Sequence, residues 1–207
     1  MGSAWPLGPM AAHFSANLTG VAAKAVCAWL DLLVVWNAKL DLTAARSQGE
    51  LLDLMLADAL ALSVRVPEGA KVVDVGVGAG APGLALAILR PDLRVSLVEP
   101  LAKRTAFLRT CLGHLDRLDV SIHRMKGDQL ATQMPNAFDV AISRATLPPP
   151  DWLALGTRLV RPAGEVWVLL ARDEPPEPGK TSLEEDVSYT WPNAGSVRRA
   201  VRYRVSE

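Results

Sequence analysis

The spacing of apolar residues changes character near residue 70. Before it, the apolar positions fall at helical intervals. Val26, Trp29, Leu30, Leu33 and Trp36 form one stripe and predict a helix that ends near Asn37. Ser47-Gln48-Gly49-Glu50 is a capping box, followed by the periodic set Leu51, Leu52, Met55, Leu56, Ala59 and Leu60. Pro67-Glu68-Gly69 closes the helical part. Beyond it, short β-rich runs predict strands at 71–75, 94–98, 120–123, 139–143 and 165–170. Helical segments fit between them at 83–89, 102–112 and 152–159. Such alternation with short connections predicts a parallel sheet covered on both faces. Arg161-Pro162-Ala163-Gly164 reads as a turn before the fifth strand, and the proline- and acid-rich stretch 173–180 as an exposed loop. Segments 187–191 and 198–205, joined through Pro192-Asn193-Ala194-Gly195, predict a closing antiparallel hairpin. The division expected is a helical extension over 1–68 and an α/β core over 69–207, together one compact unit.

Composition narrows the classes. The chain has 207 residues, half of them hydrophobic, which suits one globular unit with a sizeable core. Lys plus Arg and Asp plus Glu are both 22, so nucleic-acid binding would have to use a local patch. Cys27 and Cys111 lie far apart and read as buried free thiols. His13, His114 and His123 have no paired spacing, so no metal site is expected. The run 26–36 is too short to span a bilayer and contains Asp31, and no signal peptide is evident, so a cytoplasmic protein is expected. Met1-Gly2-Ser3 reads as a cloning scar.

The chemistry concentrates where the first strand ends. Asp74-Val75-Gly76-Val77-Gly78-Ala79-Gly80-Ala81-Pro82-Gly83 joins a strand to a helix through a glycine-rich loop, the nucleotide-binding turn of doubly wound folds. Two ligand classes fit it. Residues 78–83 match the dinucleotide pattern G-x-G-x-x-G, and residues 76–80, preceded by Asp74, match the G-x-G-x-G turn used for S-adenosylmethionine. The methyl donor is favoured because the first glycine directly follows the strand and because an acid beside the loop suits a sulfonium and an ammonium better than a pyrophosphate. Gly76, Gly78 and Gly80 are expected against the methionine part, Ala81 at the start of its wall, and Glu99, after the second strand, on the ribose hydroxyls. Lys126-Gly127-Asp128 follows the third strand, where the adenine would sit. Arg144 ends the fourth strand and becomes a cation at the rim of the crevice.

Basic residues gather at Lys103, Arg104 and Arg109, at His123, Arg124 and Lys126, and at Arg198, Arg199, Arg202 and Arg204. These clusters permit an RNA contact, with Lys103, Arg104 and Arg124 as candidates near the cofactor mouth. A methyltransferase for a small molecule or protein, a nicotinamide-binding redox protein and a binding module with a degenerate pocket are the competing classes. Asp74 and the terminal hairpin disfavour the second, and the retained Asp74, glycines and Glu99 argue against the third.

With these motifs in place, the chain resembles the bacterial 16S rRNA guanine-N7 methyltransferases, the glucose-inhibited division protein B family. The resemblance rests on Trp36-Asn37-Ala38-Lys39-Leu40-Asp41-Leu42-Thr43, on the turn that starts at Asp74, on Leu101-Ala102-Lys103-Arg104 with Phe107-Leu108-Arg109, and on Ile142-Ser143-Arg144-Ala145. It implies a class I S-adenosylmethionine-dependent methyltransferase fold, with a seven-stranded, mostly parallel sheet and an N-terminal helical extension. It also implies a monomer whose partner is 16S rRNA or the small ribosomal subunit. The family's cofactor contacts would fall on Gly76, Ala81, Gly127, Asp128 and Arg144. Guanine N7 carries a lone pair and no proton, so no general base is expected; Arg144 would orient base or cofactor. The chain departs from the family at Met55, where a His is usual, at Ala59, where a Ser is usual, and at Ala171-Arg172-Asp173, where a Lys-Gly pair is usual.

Overall fold

The computed structural model describes residues 5–16, 18 and 20–206; Met1-Gly2-Ser3 lies outside them. Its N-terminal part is helical: α1 (Leu7–His13), α2 (Gly20–Leu40), α3 (Gln48–Leu52) and α4 (Asp58–Ser63), with a π-helical turn, Asp53–Ala57, between the last two. The sheet contains β1 (Lys71–Val75), β2 (Arg94–Val98), β3 (Ser121–His123), β4 (Phe138–Arg144), β5 (Val160–Leu170), β6 (Thr181–Trp191) and β7 (Ser196–Val205). Helices α5 (Gly83–Leu89), α6 (Ala102–His114), α7 (Gly127–Gln133) and α8 (Pro149–Leu159) connect the parallel strands. The strand order is β3-β2-β1-β4-β5-β7-β6. Strands β1 to β5 pair in parallel, and β7 and β6 close the sheet antiparallel. The order reverses between β1 and β4, and the crevice at a reversal lies outside the strand carboxyl ends.

Two apolar layers explain why the chain adopts this arrangement. On one face α2, α5 and α6 pack Trp29, Leu30, Leu33, Leu84 and Phe107 against Val72, Leu97 and Ile142. On the other, α7 and α8 pack Leu130, Trp152 and Leu155 against Val73, Ala141 and Val166. Alternating strand residues thus serve opposite layers, as the two-residue strand period requires.

Several elements differ from the sequence expectation. Helix α2 is 21 residues long, not a short run. By length and composition it could cross a membrane, yet Val26, Trp29, Leu30 and Leu33 are buried in the fold. The expected turn 161–164 lies within β5 as a bulge: pairing shifts between Phe138 and Val140, and Ala163 takes a φ of 57°. Gly127 and Asp128 begin α7 instead of forming an isolated loop; Gln129 Oε1 accepts from Lys126 N at 2.9 Å. That helix offers few apolar residues, of which Leu130 and Ala131 are buried, so periodicity did not mark it. The hairpin strands run longer than expected. Cys111 is buried and Cys27 half-buried, and both are free.

The tip of the hairpin is tied to the N-terminal helices by a buried carboxylate. Asp53, on the π-helical turn, accepts from Asn193 N at 3.1 Å, Asn193 Nδ2 at 2.9 Å and Ala194 N at 2.7 Å. A carboxylate fully out of solvent is tolerable only when hydrogen-bonded in this way. Replacing Asp53 by Ala strands the turn's donors and should destabilise the protein by about 2–3 kcal/mol in urea unfolding; a change under about 0.5 kcal/mol would show that the tie contributes nothing to the fold.

Candidate functional site

The glycine turn is gripped from three sides. From β2, Val98 O accepts from Gly76 N at 2.8 Å and from Val77 N at 3.2 Å. From α2, Trp29 Nε1 donates to Ala79 O at 3.1 Å. From β1, Asp74 Oδ2 accepts from Gly83 N at 2.7 Å and so fixes the start of α5. Gly76 has a φ of 77° and faces the Thr146 side chain, so a Cβ there is excluded both by conformation and by contact. Gly80 has a φ of 117°, and a Cβ would lie 2.9 Å from the Trp29 ring.

Three cavities open along the carboxyl ends of the strands. One of about 210 Å³ is lined by Gly76, Gly78, Ala81, Arg104 and Arg144, with Leu42, Thr43 and Ala44 as its roof and Leu54 and Met55 opposite. A second, of about 390 Å³, is lined by Gly76, Val98, Pro100, Met125, Gly127, Asp128 and Thr146, and is largely apolar. The two meet at Gly76 and together form an elongated groove across the strand-order reversal. The third, of about 260 Å³, lies between Arg144 and the hairpin residues Tyr189, Trp191 and Arg198.

Most residues singled out in the sequence converge on the groove. Gly76, Gly78, Ala81, Gly127, Asp128 and Arg144 line it. Gly80 does not: it packs against Trp29 behind the turn. Glu99 is buried beneath the turn, where Oε2 accepts from Gly78 N at 3.1 Å and Oε1 from Leu101 N at 2.9 Å. Arg104, expected on the RNA side, instead stands 3.5 Å from Glu99 and lines the smaller cavity. Lys103 is exposed but reaches across to Leu40 O at 2.8 Å, and Arg124 is exposed after β3. Of the hairpin arginines, Arg199 pairs with Asp186 and Glu174, while Arg202 and Arg204 pair with Glu165. Only Arg198 among the four makes no ion pair with a described residue; it stacks on Trp191, 4.1 Å from the ring centroid.

The key partner of Arg144 carries no sequence signal as a site residue. Asp58, the first residue of α4, is 2% exposed and takes Arg144 Nη1 at 2.8 Å, Tyr189 Oη at 2.7 Å and Trp191 Nε1 at 3.0 Å. Arg144 also donates to Leu54 O at 2.6 Å. Burial, followed by the Asp58 charge, raises the Tyr189 phenol far above its ordinary range, so it remains a donor. A buried Asp one residue past an apolar run was the available clue, but Tyr189 and Trp191 come from 130 residues further on. The Trp36–Thr43 motif also acquires a physical role. Asn37 Oδ1 accepts from Leu42 N at 2.7 Å and Thr43 N at 2.8 Å, folding the chain after α2 over the smaller cavity.

Asp74 departs from its expected role. It does not face the groove; its carboxylate is fully buried, and Oδ1 has no partner. Burial pushes its pKa up to about 7, against the opposing effects of Gly83 N and Arg144 and with support from the Asp58 and Glu99 charges. Asp74 therefore secures the turn from within and does not face a ligand.

A glycine turn after β1, an acid after β2 and a groove at the β1–β4 reversal, on a sheet closed by an antiparallel hairpin, define a class I, Rossmann-like methyltransferase fold. Solved structures carry the same fold. The N1-methyltransferase of Burkholderia thailandensis, solved with 1,6-didemethyltoxoflavin and S-adenosylhomocysteine, is 16% identical with a TM-score of 0.61, covering 93% of each chain. An S-adenosylmethionine-dependent methyltransferase from Aquifex aeolicus is 16% identical with a TM-score of 0.54, over 74% of this chain and 92% of that one. The particular family follows from sequence. The family model described as GidB, rRNA small subunit methyltransferase G, matches residues 23–187, and the chain belongs to that family. The ribosomal RNA small subunit methyltransferases G of Myxococcus xanthus and Anaeromyxobacter are 38% and 36% identical; the matches span 69% of this chain and 66% of each relative. That of Burkholderia lata is 30% identical over 86% of this chain and 75% of the relative.

The raised Asp74 pKa has a stability consequence. The folded state holds this proton to higher pH than the unfolded chain, so its stabilising contribution is full below about pH 4 and is lost as pH rises through about 7. Asp74→Asn removes that titration. The stability difference, variant minus wild type, should therefore grow between pH 4 and 7 and level off above, measured by urea unfolding across pH; a pH-independent difference would mean that Asp74 titrates normally.

Proposed function

We propose that the protein transfers a methyl group from S-adenosylmethionine to N7 of a guanine in 16S rRNA, acting as a cytoplasmic monomer on the RNA or the small subunit. The observation that carries this reading is the two-lobed groove meeting at Gly76 in a member of this family. The groove suits the cofactor chemically. Its larger, apolar lobe, with Gly127 and Asp128 at one end, fits an adenine; its smaller lobe, with Gly78 and Arg144, fits a methionine tail bearing an ammonium and a carboxylate. Beside Gly78 only Gly76 O comes within 4 Å of where a Cβ would stand, at 3.9 Å, so a ligand can approach the backbone. Glu99, expected on the ribose, lines neither lobe; it holds Gly78 N and Leu101 N and so supports from beneath the loop on which the ribose would rest. Gly80 keeps the turn against Trp29 and contacts no ligand. Arg104 belongs to the cofactor side through Glu99, which leaves Lys103 and Arg124 as RNA candidates.

Held by Gly78 and Arg144, S-adenosylmethionine would supply an electrophilic methyl to the N7 lone pair, its sulfur keeping the electrons of the carbon–sulfur bond. The protein's task is to align donor and acceptor and exclude water. Leu54, Met55 and the roof over residues 42–44 close the smaller lobe, and Asp58 fixes Arg144 at its edge.

Binding of S-adenosylhomocysteine by calorimetry tests the groove: Glu99→Ala should weaken it by about 1–3 kcal/mol, through lost hydrogen bonds and a released turn. Tight NAD binding without a response to S-adenosylhomocysteine would refute the cofactor. Tritiated methyl transfer to unmethylated 16S rRNA or small subunits should yield 7-methylguanosine at one site. Its single-turnover rate should stay nearly flat from about pH 6 to 8.5, because no proton leaves the nucleophile; a tenfold rise per pH unit would indicate a general base and another acceptor.

A further inference from the structure

The hairpin cavity adjoins both lobes of the groove without being part of either. It shares Leu54 and Arg144 with the smaller lobe and Leu147 with the larger. Its other walls come from a different part of the chain. Trp191 is held by its Nε1 hydrogen bond to Asp58, and the Arg198 guanidinium lies over the indole at 4.1 Å. Asp173, just beyond the end of β5, reaches the same cavity; it is exposed and makes no hydrogen bond or ion pair with a described residue.

We propose that this cavity is the seat of the acceptor base, that the Trp191–Arg198 pair is its stacking wall, and that Asp173 reads the base as guanine. This assignment rests on the methyl-transfer reading above. Position comes first: the cavity shares Leu54 and Arg144 with the smaller lobe and Leu147 with the larger, so a base seated in it borders the groove that would hold the methyl donor. Size comes second. At about 260 Å³ the cavity is a little under the roughly 300–1,000 Å³ of drug-sized sites and suits a single base extruded from its strand. Chemistry comes third. Single-stranded bases are bound by stacking on aromatic rings and arginine planes, and the Arg198–Trp191 pair presents both in one wall. Guanine alone among the four bases presents two adjacent donors, N1–H and the N2 amino group, on its Watson–Crick edge, and an ionised carboxylate is an acceptor-only partner for both. Adenine and cytosine would set a ring-nitrogen lone pair against the carboxylate, and uracil only one donor flanked by two acceptors. With that edge on Asp173, N7 lies on the opposite side of the purine, where the methyl must arrive.

Inosine isolates the contact, because it keeps N7 and N1–H and lacks only the N2 amino group. Single-turnover methyl transfer would be measured on ligated 16S rRNA carrying guanosine or inosine at the site mapped for the wild type. The wild-type protein should favour guanosine by about tenfold, the worth of one hydrogen bond to a charged group. Asp173→Ala should lose roughly 10–100-fold on guanosine and bring the two substrates within twofold of each other, with S-adenosylhomocysteine affinity within twofold of wild type. Asp173→Asn, which keeps one acceptor, should fall between. Arg198→Ala should slow both substrates equally and leave the guanosine-to-inosine ratio intact. If Asp173→Ala keeps the wild-type ratio or rate while 7-methylguanosine still forms, the base seat is wrong and the methyl-transfer reading stands. If the wild-type protein binds S-adenosylhomocysteine yet methylates no ribosomal RNA, both readings fall.

Discussion

The structure depends on one buried carboxylate. Asp58 receives three donors from two distant stretches of chain: Arg144 at the end of β4, and Tyr189 and Trp191 near the tip of β6. Unpaired, an anion so deeply buried would be prohibitively costly; fully bonded, it requires both stretches to arrive together. It therefore sets where Arg144 stands, and Arg144, with Leu54, is common to the smaller lobe and the hairpin cavity. Asp53, one turn earlier, makes the same kind of attachment to the hairpin tip. The π-helical turn between them lies where such turns often occur, beside a site.

The N-terminal helices consequently do more than extend the sheet domain. Trp29 of α2 holds Ala79 of the glycine turn, and Asn37 at the end of α2 folds residues 42–44 over the smaller lobe. Asp53 and Asp58 then carry the same helical layer to the hairpin. A layer that shapes the groove on one side and the hairpin cavity on the other would hold the two proposed ligands in a fixed relation. For the proposed transfer to N7, with no proton to move, that relation would be the main catalytic resource.

What the sequence reveals follows the range of the interactions. The parallel strands, the glycine turn and the capping box at Ser47 are local, so strand period, loop composition and side-chain spacing announce them. The groove was legible at Gly76, Gly78, Ala81, Gly127, Asp128 and Arg144 because motif and topology together place strand ends there. Gly80 and Asp74 belong to the same motif but turn inward, since a turn must also be anchored to what lies beneath it. The ion pairs of Arg104, Arg199, Arg202 and Arg204 remove much of the basic surface that counting charges suggests. Tyr189 and Trp191 gave no signal, and Arg198 only that of a basic cluster, because their meaning arises only when the hairpin meets α4, more than a hundred residues away in sequence.

Asp58 and Arg144 act as one unit joining helical layer, sheet and hairpin. A double-mutant cycle in urea unfolding, with Asp58→Asn, Arg144→Met and the double variant, tests it most directly. Each single change leaves a buried polar partner behind, and the double change removes the mismatch. A coupling of about 1–3 kcal/mol is expected, the double variant being less destabilised than the sum of the singles. Additivity within about 0.5 kcal/mol would contradict it, leaving Arg144 a rim cation that merely lies near Asp58.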